Sequence, residues 1–254
     1  MSDKPAAKKK KAPAAGADAP SVEAPKKKAE KSRVDASAGA QTEQTDDALK
    51  DAILKAALKD AAFDGFTDSV LAKAGKSAGA DKAALTRLFP EGALSLIEFF
   101  SHCVDKAMEE KLAAVDLVKR KIRERIKIAV LTRLALLAPN KEAARRAAAL
   151  MTLPMHAGRG AKMMYATVDA MWRAAGDTST DFNFYTKRGI LAGVYGSVLV
   201  RWFNDTGEDE SATEAFLDAR IENVMQFEKF KAKAKEAFSN FPAFTTAWAK
   251  PKAK

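Results

Sequence analysis

The chain has 254 residues but only one cysteine, Cys103, and two histidines, His102 and His156. That excludes an intramolecular disulfide framework and leaves no Cys/His set for a structural zinc ion. A reducing compartment is expected. Cys103 and His102 are sequence neighbours and point to different sides of their helix, so no thiol–imidazole dyad is available for covalent catalysis. A Gly-rich phosphate loop is missing as well. No run approaches the roughly 20 unbroken apolar residues of a membrane-spanning helix, so any membrane contact is expected to be peripheral. Strand formers are scarce, and almost no sheet is expected. The first residues lack a secretory pattern, because Lys8–Lys11 lead into Ala, Pro and Gly and not into an apolar segment.

What is abundant favours helix: Ala, Leu, Lys, Arg and Glu lose little side-chain freedom there. Hydrophobic residues make up 47% of the chain, enough for a core with room for an interior pocket. The formal charge of +10 attracts a polyanion, either nucleic acid or an anionic lipid surface.

Residues 1–45 mix Ala, Pro, Lys, Gly and Ser, and their large apolar residues are Met1, Val22 and Val34. They cannot bury enough surface to offset ordering entropy, so a disordered, solubilising tail is expected. From Asp46 the pattern turns helical, with Leu49, Ile53, Ala57 and Leu58 at helical spacing before the break at Phe63-Asp-Gly-Phe66. Thr67 is placed to cap a helix bearing Val70 and Leu71, and Asp81 to cap a short one bearing Leu85 and Leu88. Phe89-Pro90 ends the latter before a helix from Ala93 to about Glu110. This order over residues 46–112 resembles the N-terminal helix-turn-helix domain of TetR-type regulators. An operator reader needs a recognition helix rich in base- and phosphate-bonding side chains. Asp81–Leu88 offers Lys82, Thr86 and Arg87 behind an acidic N-terminus, where the helix dipole would otherwise favour phosphate. No specific nucleic acid is expected, and a ligand-responsive TetR-type regulator is the alternative reading.

Residues 113–226 read as a second helical domain. Val118, Ile122, Ile126, Val130 and Leu134 form a stripe at i+4, flanked by basic residues. Pro139-Asn140 breaks the chain before an Ala-dense helix over Lys141–Leu153 that should pack closely on a neighbour. Met164, Tyr165, Val168, Met171 and Trp172 mark the apolar side of a helix over 160–176. The segment Phe184–Phe203 is apolar enough to be nearly encircled by protein or ligand. Its Gly189, Gly193 and Gly196 each cost about 1 kcal/mol relative to Ala inside a helix, which implies close helix packing or room for a bulky ligand. Asp177 and Asp181 are four apart in a polar turn, and Asp181 is best explained as an N-cap, since no nucleophile or metal cluster accompanies the pair. Ser211-Ala-Thr-Glu214 matches a capping box that starts the next helix.

Residues 227–254 change character. Phe227, Phe230, Ala234, Phe238 and Phe241 share one helical face, with Lys229, Lys231, Lys233 and Lys235 on its flanks. Pro242 stops the helix, and Phe244, Trp248 and Lys250 continue the aromatic–basic mixture. Aromatic rings at headgroup depth with lysines toward anionic lipid make a peripheral anchor. Docking of the same rings on the protein's own core or on a dimer mate is the other reading.

Val168-Asp-Ala-Met-Trp172, the run Ala175 to Arg188, Leu191-Ala-Gly-Val-Tyr195 and Phe216-Leu-Asp-Ala-Arg-Ile221 together resemble the ninth coenzyme Q biosynthesis protein family. Phe63-Asp-Gly-Phe66 and Leu88-Phe-Pro-Glu-Gly92 extend the resemblance over roughly residues 46 to 230. It implies an all-α, TetR-like fold whose DNA-reading role is lost, a lipid cavity in the larger helical domain and a membrane-docking C-terminal helix. It also implies a partner, the di-iron demethoxyubiquinone hydroxylase. The family's docking surface for that enzyme is matched by Met171, Asp181, Phe184 and Tyr185, with Arg188 beside them. Phe184 stands where the family commonly has Trp. The Lys/Ala/Pro-rich front is unlike a transit peptide, so a bacterial cytoplasm is expected, with the protein on the inner face of its membrane, or on the matrix side if eukaryotic.

The resulting expectation is a non-enzymatic lipid-binding accessory protein without metal or cofactor, and with a possible homodimer. It takes up an isoprenoid quinone intermediate at the membrane and presents it to the hydroxylase, with phospholipid as a further lipid partner. Tyr165, Val168, Trp172 and Trp202, with Ile190, Leu191, Val194, Tyr195 and Val198, are expected to line the lipid site. Phe227, Phe230, Phe238, Phe241 and Trp248, with Lys231, Lys233 and Lys235, are expected to meet the membrane.

Overall fold

The structure, a computed structural model, describes residues 26–180, 182–207 and 210–239. Every regular element among them is helical: α1 (Lys26–Asp64), α2 (Asp68–Ser77), α3 (Lys82–Leu88), α4 (Ala93–Ala113), α5 (Ile122–Leu137), a 3₁₀ turn (Ala138–Asn140), α6 (Lys141–Met151), α7 (Ala157–Ala174), α8 (Phe182–Phe203) and α9 (Ser211–Ser239).

Residues from Asp47 onward form one compact unit. Its first helices are placed by local chemistry. Ile53, Leu54, Ala57 and Ala61 are the buried stripe of α1. Gly65 ends that helix at φ +72, with its N–H bonded to the Ala61 carbonyl at 3.1 Å. Phe66 then turns inward and stacks on Phe100 of α4 at 6.2 Å. Thr67 Oγ1 accepts from Val70 N–H, and Asp81 Oδ1 from Ala84 N–H at 2.7 Å, so both expected caps are in place. Asp68 ties α2 to α4 by accepting from Ala93 N–H at 2.9 Å. This contact needs Gly92, where a Cβ would stand 2.2 Å from Asp68 Oδ1.

The rest of the core is continuous with that assembly. α4 packs on α5 and α7, α7 on α8, and α8 on α9. Leu96, Met108, Val130, Leu134, Val168, Met171, Val198, Trp202 and Leu217 are all nearly inaccessible. The helix-turn-helix-like segment and the larger segment therefore share one core and are not the two bodies the sequence suggests.

Several boundaries differ from expectation. α1 begins at Lys26, inside the segment expected to lack structure; past Pro25 that stretch is Ala-rich with no proline, and propensity alone favours helix. Val118 is exposed and lies outside α5. Lys119, Arg120 and Lys121 would repel the positive end of a helix dipole there. The Arg125 guanidinium holds the loop instead, donating to the carbonyls of Arg120, Val118 and Ala175 at 2.9, 2.9 and 3.0 Å. The break expected at Pro139-Asn140 is there: α5 ends at Leu137, a 3₁₀ turn holds Pro139 in its first turn, where its missing N–H costs nothing, and α6 starts at Lys141. α9 runs unbroken through residue 227, started by Asp205 Oδ2, which accepts from Thr213 N–H at 3.0 Å.

Candidate functional site

Between α4, α5, α6, α7 and α8 lies a cavity of about 490 Å³. It exists because three helices meet there through small side chains: Ala144, Ala147 and Ala148 of α6, Gly160 and Ala161 of α7, and Gly196 of α8. The remaining wall is apolar, with Ile97, Phe100, Leu137, Met151, Met164, Leu199 and Phe203. This size and character are those of a small-ligand pocket, not of a packing defect. Thr152, Ala157, Ala161 and Val200 are exposed and mark the mouth, whereas Ile97, Arg133, Leu137 and Tyr195 are buried and mark the floor.

Among the described lining residues, the one charge is on the floor. Arg133 donates from Nε to Asp105 Oδ1 at 2.7 Å, from Nη2 to Ser101 Oγ and Thr167 Oγ1, and from Nη1 to the Tyr195 hydroxyl. Thr167 in turn donates to Asp105 Oδ2 at 2.9 Å. Burial pushes the Tyr195 phenol above its ordinary range, so it stays protonated. Burial also opposes the Arg133 charge, which the Asp105 carboxylate beside it sustains.

Of the expected lipid-site residues, Tyr195 alone lines this cavity. Val168, Leu191, Val198 and Trp202 are solid core, and Trp202 Nε1 donates to Glu210. Trp172 is half-buried against α8, where Nε1 donates to the Lys187 carbonyl at 3.2 Å, and Tyr165 is exposed. Ile190 and Val194 line a separate groove between α8 and α9, with Gly193, Val224 and Phe227. Along α8, Leu191, Val198 and Trp202 point into packed core, whereas Gly196, Leu199, Val200 and Phe203 join Tyr195 around the cavity. α8 is thus not encircled; Asn183, Tyr185, Gly189, Gly193 and Val200 are open to solvent. Nor do its glycines serve close packing, since a Cβ at Gly189 or Gly193 would meet nothing within 4 Å and one at Gly196 would meet Met164 at 3.9 Å.

A second constellation sits where α7 meets the start of α8. Arg188 is 2% exposed and donates to Asp169 at 2.6 Å, to Asp177 at 3.2 Å and to the Phe184 carbonyl, with its guanidinium 3.3 Å from the Phe184 ring centroid. Lys187 adds a bond to Asp177 at 2.8 Å and lies over the Trp172 ring. Burial opposes the Asp177 charge, but hydrogen bonds from Lys187 and Ser179 outweigh it and hold the carboxyl down at about 2. Asp177 is therefore a structural anion and not a proton carrier at neutral pH. On this platform Phe184 and Tyr185 meet edge to face at 5.2 Å, and the Tyr185 side chain projects into solvent, 66% exposed. Met171, expected on this surface, is fully buried beneath it, because its place on α7 faces the core. Asp181 lies outside the described residues.

On α9, Phe227 and Phe230 are exposed at 60% and 70%, with Lys233 also exposed. Phe241 and Trp248, and the side chains of Lys231, Lys235 and Phe238, lie outside what the structure describes. Among the described residues, no helix is long and apolar enough to cross a membrane, and no cluster of His, Cys, Asp or Glu is placed to hold a metal.

The helix order defines an all-helical protein with a TetR-like fold. A solved TetR transcriptional regulator from Nitrosomonas europaea shares this fold with a TM-score of 0.55 and 19% identity, over 68% of this chain and 95% of that one. A family model described as COQ9 matches residues 157–228, which hold α7, α8 and the platform around Arg188. Ubiquinone biosynthesis protein COQ9 of Rattus norvegicus is 33% identical over 188 residues, 72% of this chain and 60% of the relative. COQ9-B of Xenopus laevis is 30% identical over 197 residues, 74% of this chain and 67% of that protein. The chain belongs to the COQ9 family. It spans about 60% of the length of the mammalian relatives it matches.

Proposed function

We propose that this protein is a non-enzymatic accessory factor of ubiquinone biosynthesis that shelters a polyprenylated quinone intermediate in the cavity between α4 and α8. The observation that carries the reading is the cavity itself: about 490 Å³, walled by Ala, Gly, Leu, Met and Phe, and open between α6, α7 and α8. Each buried CH₂ is worth about 0.8 kcal/mol, so an isoprenoid tail leaves a bilayer only for a comparably dry site. The work is relocation of a lipid, and it requires no reactive group in the wall.

Two surfaces complete the proposal. The exposed rings of Phe227 and Phe230, with Lys233 near them, suit a peripheral contact with an anionic membrane on its inner face. Tyr185, exposed on a platform stiffened by Arg188, Asp169 and Asp177, suits docking of the di-iron hydroxylase that acts on the lipid. Operator binding has less support, because α3 is short and its N-terminus is occupied by the Asp81 carboxylate.

Mass spectrometry of lipids extracted from the natively purified protein tests the container. Near-stoichiometric isoprenoid quinone or phospholipid is expected, and protein recovered free of lipid under mild conditions would refute the reading. For the docking surface, Tyr185→Ala should lower co-purification of the hydroxylase at least tenfold, as for an aromatic anchor worth about 2 kcal/mol, with the melting temperature unchanged. Undiminished co-purification places the partner elsewhere.

A further inference from the structure

Resting on the container reading, we infer that the cavity takes its ligand head-first, seating an uncharged acceptor oxygen, of the quinone-carbonyl type, on Arg133, Tyr195 and Ser101. The tail then fills the apolar space and leaves by the mouth between Ala157, Ala161 and Val200.

The donor inventory supports this orientation. A guanidinium has five N–H groups. Arg133 directs Nε to Asp105, both Nη2 hydrogens to Ser101 and Thr167, and one Nη1 hydrogen to Tyr195, which leaves the second Nη1 hydrogen over. Tyr195 and Ser101 each accept from Arg133, and neither hydroxyl hydrogen has an acceptor among the described residues. Thr167 is different, because its own hydrogen goes to Asp105. Three unspent donors thus converge on the floor of a cavity whose other walls offer almost nothing polar. Buried donors without a partner are costly, so the favourable occupant is one that brings an acceptor.

The charge balance chooses among acceptors. Arg133 and Asp105 neutralise each other inside the protein, and Tyr195 is an un-ionised phenol. A carboxylate head would add an uncompensated negative charge beside Asp105 in a dry site, which is heavily penalised. A neutral carbonyl meets the same donors without that penalty. The geometry also sets polarity along the ligand: the polar groups are at the buried end, and the exposed end is apolar, with Val200 64% exposed at the rim. A long tail cannot be held whole in about 490 Å³, so its distal part extends from the mouth.

Calorimetric titration of the delipidated full chain with three probes whose alkyl tails have nine or ten carbons tests the inference: decylubiquinone, decylbenzene and decanoate at neutral pH. The wild type should bind decylubiquinone about tenfold more tightly than decylbenzene, with decanoate weaker than the quinone. Tyr195→Phe should weaken decylubiquinone about fivefold and leave decylbenzene within twofold. Ser101→Ala, at a half-buried position, should move the same ratio in the same direction, and it carries the test if Tyr195→Phe melts early. Equal weakening of both neutral probes by these variants, or tighter binding of decanoate, overturns the head-group seat while the container stands. Failure of the wild type to take up any probe removes the container, and the seat with it.

Discussion

Asp105→Ala is expected to destabilise the fold by about 3–5 kcal/mol, because it leaves a buried guanidinium without its counter-charge. Asp105 and Arg133 are both buried, and the carboxylate is the counter-charge of a guanidinium that cannot shed its proton. Removing it strands a cation in a low-dielectric interior and also frees the Thr167 hydroxyl. For a domain of this size the loss corresponds to a fall of roughly 10 °C in melting temperature. Thermal denaturation followed by circular dichroism reads it directly. Replacing both partners with apolar residues, Asp105→Leu with Arg133→Met, should recover most of the loss, since a buried ion pair contributes little net stability once its desolvation is counted. A single variant that melts within 2 °C of wild type would mean that water reaches Arg133 and that the floor of the cavity is wet.

That ion pair is also where the sequence was hardest to interpret. Arg133 follows Val130 and Leu131 and precedes Leu134 on α5, a lone cation on a buried stripe, and Asp105 occupies a similar place on α4 between Val104 and Met108. Such residues look like errors in a pattern until the partner, 28 positions away, is known. Local features were more transparent. The caps at Thr67 and Asp81, the turn at Gly65 and the stop at Phe89-Pro90 depend on neighbours within a few residues, and helical periodicity marked most elements to within a turn. The motifs that carry the family resemblance lie mostly on α7 and α8, the segment that the family model matches.

The cavity was less legible because size misleads. Large aromatic and aliphatic side chains such as Trp202, Val168 and Leu191 attract attention as ligand contacts, yet they fill space and leave none. The cavity opens where side chains are small. The Ala-dense α6 signals close packing, and α6 does meet α7 and α8, but its small side chains leave a void between the three helices. The useful signal was the coincidence of Ala144, Ala147 and Ala148 with Gly160 and Gly196, a pattern that becomes spatial only after folding. On the platform around Arg188, alternation of core and surface along α7 decided the outcome: Met171 and Trp172 are adjacent, and only the latter reaches the platform.

Gly196→Leu should abolish lipid recovery while making the lipid-free protein more stable, two effects that a simple folding defect cannot produce together. Gly196 lies within α8, where exchanging glycine for a helix former gains up to about 1 kcal/mol. A Cβ at this position would touch only Met164, at 3.9 Å, so a larger side chain enters the void without displacing backbone. Filling an apolar cavity adds further stability through recovered dispersion contacts. The same side chain occupies the volume that a tail would take, and bound lipid measured by mass spectrometry should fall at least tenfold. Gly189→Leu is the matched control: it lies on the same helix, exposed and with nothing within 4 Å, so it should gain helix stability and keep its lipid. If Gly196→Leu retains a full complement of lipid, the ligand occupies the groove between α8 and α9 instead, beside Ile190, Val194 and Phe227.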